Sequence, residues 1–167
     1  MNCLQAVAQL GLKDAWISVG LLRNTVWDIL TETTTSINDI DVIYFDSSDI
    51  SMEAEKLLEE KLKNILPNQP WSVKNQARMH HKSGFSPFKS SNDGVAHFPE
   101  TPTAVAARIY NEELEIMAPY GLKDLFEMQV KPTPYYKKEA EQHLIYVERL
   151  QKKNWSQTWE KLSVEIE

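Results

Sequence analysis

The sequence predicts an α/β core followed by a mainly helical C-terminal half. Two observations carry this. Short apolar runs of strand length, AWISV (15–19), the centre of INDIDVIYFD (37–46) and WSVKN (71–75), alternate with stretches whose apolar residues recur at helical spacing. Beyond about residue 100 the strand-like runs thin out and helical spacing dominates.

The elements follow in order. A first helix is expected over Cys3 to Leu12, with Leu4, Val7, Ala8 and Leu12 on one face. Ala15 to Val19 is a strand that stops at Gly20, and LLRNTVWDIL (21–30) places Leu22, Val26 and Leu30 on one helical face with Arg23 and Asn24 off it. TETTTSIN (31–38) is a polar loop leading into the second strand. Ser51 to Leu66 is a helix capped by Ser51, striped with Met52, Leu57, Leu58, Leu62 and Ile65, and stopped by Pro67. After the third strand, Trp71 to Asn75, we expect a helix at Thr103 to Tyr110, a strand at Leu114 to Met117, a turn at PYG (119–121), a helix from about Leu122, and a last helix from about Tyr135 to Lys152. A tail carrying Trp155 and Trp159 follows, and both are read as core or lid packing. The expected division is residues 1–100 as core and 101–167 as an extension packed on it.

Composition narrows the function. The 167 residues are 42% hydrophobic and 25% charged, which is the balance of a soluble domain able to bury a core. The net charge of −6 argues against strong non-specific binding to nucleic acid or anionic membrane, so any polyanion site must be local. No apolar run approaches the ~20 residues that span a bilayer. The single cysteine, Cys3, and the absence of a basic-then-apolar leader make the cytoplasm the expected compartment.

Asp39 and Asp41 pose the central question, because carboxylates two apart on a strand share a face and repel. They follow a turn at which a strand ends in Gly20 and a helix starts at once, and a helix start exposes N–H groups and a positive dipole end that suit an anion. Arg23, one turn into that helix, could add a charge-assisted contact. Phosphate-binding groups on one strand end and two hard oxygen ligands on the next form the layout that holds a Mg²⁺-nucleoside triphosphate.

The glycine turn followed by Asp39-Ile40-Asp41-Val42 resembles the nucleotidyltransferase superfamily that includes DNA polymerase beta. GLLRNTVWD (20–28), NDIDVIYFD (38–46), WSVKNQARMH (71–80), PYGLKDLF (119–126) and KNWSQTWEKL (153–162) resemble a bacterial nucleotidyltransferase-like family over nearly the whole chain. The resemblance implies a nucleotidyltransferase fold of the α+β or mixed α/β class, with a small mixed sheet flanked by helices. It implies Asp39 and Asp41 as catalytic metal ligands for Mg²⁺ or Mn²⁺, and Gly20, Arg23 and Asn24 as the nucleotide- and phosphate-binding set. The partners would be a nucleoside triphosphate and an unidentified hydroxyl acceptor.

The chain also departs from the superfamily pattern. Leu21 stands where a small Ser or Gly is usual, and the connection from Gly20 to Asp39 is long. Asn75 occupies the expected place of the third carboxylate, the general base, with Glu115 on a later strand as a substitute. A non-catalytic nucleotide or phospholigand-binding module is therefore the alternative function. The acid-free stretch from Lys74 to Asn92 adds Asn75, Arg78, His80 and Lys82 as candidate acceptor or phosphate contacts. His80 and His81, as neighbours, are expected to point apart.

Overall fold

The computed structural model describes residues 2–166. Its centre is a five-stranded mixed sheet built from β1 (Ala15–Ser18), β2 (Ile40–Tyr44), β3 (Trp71–Asn75), β4 (Ala106–Tyr110) and β5 (Glu113–Met117), in the order β3-β2-β1-β4-β5. β2 and β3 run parallel, and the other neighbours run antiparallel. α1 (Cys3–Ala8) precedes β1, and between the strands lie α2 (Gly20–Thr31), α3 (Met52–Ile65), α4 (Gln76–Met79) and α5 (Ser91–Ala96). After the sheet come α6 (Lys123–Phe126), α7 (His143–Lys153) and a two-stranded parallel pair, β6 (Gln129–Val130) with β7 (Ser163–Val164). No described helix is long and apolar enough to cross a membrane.

Strand alternation splits the core into two layers. Ala15, Ile17, Ile40, Val42, Tyr44, Trp71 and Val73 face α1 and α3, while Trp16, Ile43, Ala106 and Met117 face the opposite side, under Val95 and Ala104. A third cluster lies beyond the sheet, where Trp27 of α2 meets Leu125, Met128, Val130, Trp155 and Trp159. Trp155 and Trp159 both meet Trp27 edge to face, with centroids 6.0 and 5.1 Å away, so the C-terminal tail belongs to the core.

Four expectations need correction. Thr103 to Tyr110 does not form a helix: Ala106–Tyr110 is β4, paired with β1 and, through a two-residue turn, with β5. That turn holds Asn111 at φ 49° and Glu112 at φ 67°, the left-handed pair of a tight hairpin. Ladder hydrogen bonds on both edges of β4 overrule the helix preference of its alanines. The stripe of α3 is narrower than predicted, since Leu57 is 65% exposed and Glu55 is buried in its stead. The first helix stops at Ala8, four residues early, although Asn2 and Gln5 close a reciprocal cap at its start. The last helix begins at His143; Pro134–Tyr136 form a separate short turn, and Lys137 is extended.

Asn75 shows why α3 tolerates a buried acid. The Asn75 N–H donates to Glu55 Oε1 at 2.8 Å, and Arg78 donates to both Glu55 oxygens at 2.7 and 2.6 Å. Burial alone would raise the Glu55 carboxyl, but Arg78 and the Asn75 N–H outweigh it and hold it below its ordinary range. The Asn75 amide accepts from the Asp46 and Ala77 N–H groups and donates to the Asp46 and Asp49 carbonyls, at 2.8 to 3.1 Å. This side chain bolts β3 to the segment after β2. Asn75→Asp removes two buried donations and is expected to lower stability by about 2–4 kcal/mol in urea denaturation. An unchanged midpoint would show that the bolt carries no energy.

Candidate functional site

The site grows from the end of β1. Val19 is the N-cap residue of α2 and sits at φ 57°, ψ −118°, a left-handed backbone that a β-branched side chain rarely adopts. The conformational strain of the turn therefore falls on Val19 rather than on Gly20. A Cβ built on Gly20 would make one ordinary contact, 3.8 Å from Arg23 Nη2. What Gly20 leaves open is the approach to the first N–H groups of α2, and these border a cleft of about 530 Å³.

Asp39 and Asp41 line the same cleft. Asp41 lies in β2 opposite Ser18 of β1 and Ser72 of β3, half-buried, and Asp39 is exposed just ahead of the strand. Neither carboxylate has a hydrogen bond or close ion pair with another described residue. Burial, then the charge of Asp39, pushes the Asp41 carboxyl above its ordinary value, while Lys153, Arg23 and Lys74 pull it back. No group of three or more His, Cys, Asp or Glu side chains is arranged to hold a metal among the described residues. Mg²⁺ needs no such group, because it is commonly held by one or two carboxylates with substrate phosphates and water. Two carboxylates lining one cleft, neither with a hydrogen bond or close ion pair, fit that ion.

Arg23 faces them across the cleft, but not as a solvated residue off an apolar stripe. It is only 5% exposed, and with Trp27 it is the most buried part of α2, whereas Leu30 is largely exposed. Its guanidinium lies 4.4 Å from the Trp155 ring centroid and 5.4 Å from that of Trp27. Nε and Nη2 donate to Asn24 Oδ1 at 3.1 and 3.0 Å, and Nη1 is buried without a partner. Burial pushes its pKa down to about 10; Glu100 and Asp41 favour the charge and Arg149 opposes it. Arg23 is thus a charged group at neutral pH that lines the cleft, with one of its donors, Nη1, buried and unpaired.

Two further cations line this cleft that the sequence did not reveal, Arg149 and Lys153 of α7. Arg149 is held by the fully buried Glu100, donating from Nε at 2.6 Å and Nη2 at 3.3 Å, while Thr103 Oγ1 donates to the same carboxylate at 2.5 Å. Glu100 and Arg149 are 49 residues apart. The only local hint is that Arg149 and Lys153 lie four residues apart, which marks one α7 face as basic.

The other candidates lie elsewhere. Asn75 shares its strand face with Trp71 and Val73, opposite to that of Asp41, and its side chain is spent on the backbone, so it neither contacts the cleft nor stands where a base would act. Arg78 is committed to Glu55. His80 is buried and Lys82 exposed in a short turn, and neither lines the cleft. The His80 and His81 rings do not point apart but lie 3.9 Å from each other, because a 3₁₀ turn brings neighbours together. Glu115 is paired with Arg108 at 2.6 Å on β5, three strands from β2, or about 14 Å across the sheet.

The sheet order and the helix that opens directly from β1 define the nucleotidyltransferase-type fold. The chain belongs to a nucleotidyltransferase family, whose profile matches residues 5–164. It is similar, at 39% identity and a TM-score of 0.84, to a protein whose NMR structure reveals a CCA-adding enzyme head domain; the match covers 97% of this chain and 86% of that one. The Thermotoga maritima CCA-adding enzyme complexed with tRNA shares the fold at 13% identity and a TM-score of 0.60, over 97% of this chain and 37% of that one. A tRNA nucleotidyltransferase complexed with a primer tRNA and an incoming ATP analogue shares it at 18% and 0.55, over 94% and 47%. This chain spans less than half the length of those two enzymes. Among curated proteins none matches.

The turn geometry gives a direct expectation. A left-handed backbone at a β-branched residue costs about 1–3 kcal/mol, and a glycine loses about 0.5–1 kcal/mol to unfolded-state entropy. Val19→Gly should therefore hold or raise the melting temperature, where a valine-to-glycine change elsewhere lowers it. A clear drop would mean that the Val19 side chain contributes more than its backbone costs.

Proposed function

We propose that this protein transfers a nucleotidyl group from a nucleoside triphosphate to an acceptor hydroxyl in the cleft between α2, β2 and α7. The observation that carries the reading is the opposition within one cleft of two unpartnered carboxylates, Asp39 and Asp41, and a buried arginine with an unmet donor, Arg23, beside an open helix N-terminus. Asp39 and Asp41 would hold Mg²⁺ or Mn²⁺, which when bound would neutralise charge on the triphosphate. Gly20 lets phosphate approach the α2 N–H groups, and Arg23, Asn24, Arg149 and Lys153 orient and neutralise it.

The acceptor oxygen forms a bond to the α-phosphorus, and the bond from that phosphorus to the β-bridging oxygen breaks. Pyrophosphate leaves with the electron pair, and the acceptor proton passes to water. The solved relative with an ATP analogue and primer tRNA supports a nucleotide donor.

The second reading, a nucleotide-binding module without turnover, is favoured by one observation. On the Asp41 face of β3 stand Ser72 and Lys74, so no carboxylate is available there as a base. Positioning and charge neutralisation supply much of phosphoryl-type catalysis, so an enzyme without that base should release pyrophosphate at a rate that rises with pH. A module should release none at any pH, which would remove the catalytic reading while leaving nucleotide binding intact.

Asp41 provides a test through stability. Its folded pKa is raised, so the native chain keeps this proton to higher pH than the unfolded chain does. Stability from this group is lost as pH climbs from the ordinary carboxylate value through the raised one. Asp41→Asn should accordingly melt higher than the parent at neutral pH without metal, and should lose the Mg²⁺-dependent stabilisation by triphosphate. A parent protein that melts at or above the variant would refute the charge strain.

Arg23→Met keeps apolar contact with Trp27 and Trp155 but removes the donor. We expect triphosphate affinity to fall about tenfold or more and nucleoside affinity to change little, as read by calorimetric titration. Equal losses for both ligands would place Arg23 in a structural role only.

A further inference from the structure

Asp41 borders two cavities. Besides the main cleft, a smaller and largely apolar one of about 250 Å³ opens towards β3, and Ser18, Asp41, Lys74, Glu100, Thr103 and Arg149 are among the polar residues that line it. Arg149, fixed by Glu100, lines both, so a rigid guanidinium and the Asp41 carboxylate stand at the boundary between them. The smaller cavity contains two polar groups with unmet capacity. Ser18 is fully buried and its Oγ has no hydrogen-bond partner, and Lys74 makes no hydrogen bond or close ion pair with another described residue.

In-line displacement requires the attacking oxygen to approach from the side opposite the leaving group. With the triphosphate on the α2 N-terminus and Arg23, pyrophosphate leaves towards α2 and the acceptor must enter from the β3 side. That is where the second cavity lies. Lys74 feels the Asp41 and Glu55 carboxylates only at longer range and hydrogen-bonds to neither, so its ammonium keeps donors for an anionic group that an alcohol alone would not supply. The volume lies below the roughly 300–1,000 Å³ of sites that hold a whole drug-sized ligand. A group the size of a single sugar phosphate fits it better.

We infer that this cavity is the acceptor subsite, and that it takes a sugar hydroxyl flanked by a phosphate, with Ser18 hydrogen-bonding the sugar and Lys74 pairing the phosphate. The inference rests on the nucleotidyl-transfer reading above. Two sources share this chemistry: a free sugar phosphate and the 3′-terminal residue of an RNA.

The test is titration of the ¹⁵N-labelled full chain, saturated with a non-hydrolysable nucleoside triphosphate and Mg²⁺, with ribose 5-phosphate and, separately, with a short RNA bearing a free 3′-hydroxyl. Ribose 5-phosphate or the RNA, or both, should shift the amides around Ser18, Lys74 and Thr103, and whichever does so identifies the source. Lys74→Met should weaken that binding about tenfold, the worth of one charge-assisted contact, and Ser18→Ala should weaken it by a smaller factor without loss of stability. Triphosphate affinity should change less than about twofold in both variants. Shifts confined to the main cleft, or acceptor binding untouched by Lys74→Met while triphosphate binding falls, would overturn the inference and leave Lys74 as a counter-charge for Asp41. A chain that binds no triphosphate at the outset would instead defeat the underlying functional reading.

Discussion

The register of β2 is the constraint on which the site depends. Pairing Ser18 with Asp41 on one side and Asp41 with Ser72 on the other sends Ile40, Val42 and Tyr44 into the layer under α1 and α3. Asp41 is left on the opposite face, beside the start of α2. A slip of one residue would exchange the faces, burying a carboxylate and exposing the apolar side chains. The apolar residues thus hold Asp41 in place, and the charge repulsion at the strand end is small beside their burial.

The second determinant is the tryptophan cluster. Trp27 sits one turn after Arg23 on α2, and Trp155 and Trp159 arrive from the far end of the chain to close around it. The Arg23 guanidinium is held against two of these rings and cannot swing into solvent. Asp28 extends the same clamp: its Oδ1 accepts from Trp159 Nε1 at 2.9 Å, and its Oδ2 accepts from the Thr35 N–H and hydroxyl at 2.9 and 2.7 Å. One carboxylate therefore ties the tail, the helix and the threonine-rich loop that borders the cleft. The long connection from Gly20 to Asp39 is ordered through this contact, and rigidity of this kind is what charge stabilisation in a cleft requires.

Features carried by local pattern were legible in the sequence. The strand–glycine–helix transition, the apolar strand that follows Asp39 and the Ser51 cap are each set by residues within a few positions of one another, so reading them needs no knowledge of distant contacts. The β4 segment is the counterexample. TAVAARIY has no strong preference of its own, and it becomes a strand because β1 and β5 offer it hydrogen bonds on both edges. The Asn111-Glu112 turn was the available signal, weakened by a glutamate where glycine is usual.

The candidate site divides along the same line. By itself the sequence determined the class of fold, the place of Asp39 and Asp41 at the mouth of β2, and the placing of Gly20 at a helix start, because these follow from residues within a few positions of one another. Only the tertiary structure decided that Arg23 is buried between tryptophans, that Arg149 and Lys153 complete the cationic side of the cleft, and that Asn75 is a structural bolt. Those outcomes depend on which distant surfaces meet. A charge 49 residues from its partner, or a ring more than a hundred residues from the helix it covers, leaves no periodic trace in the chain.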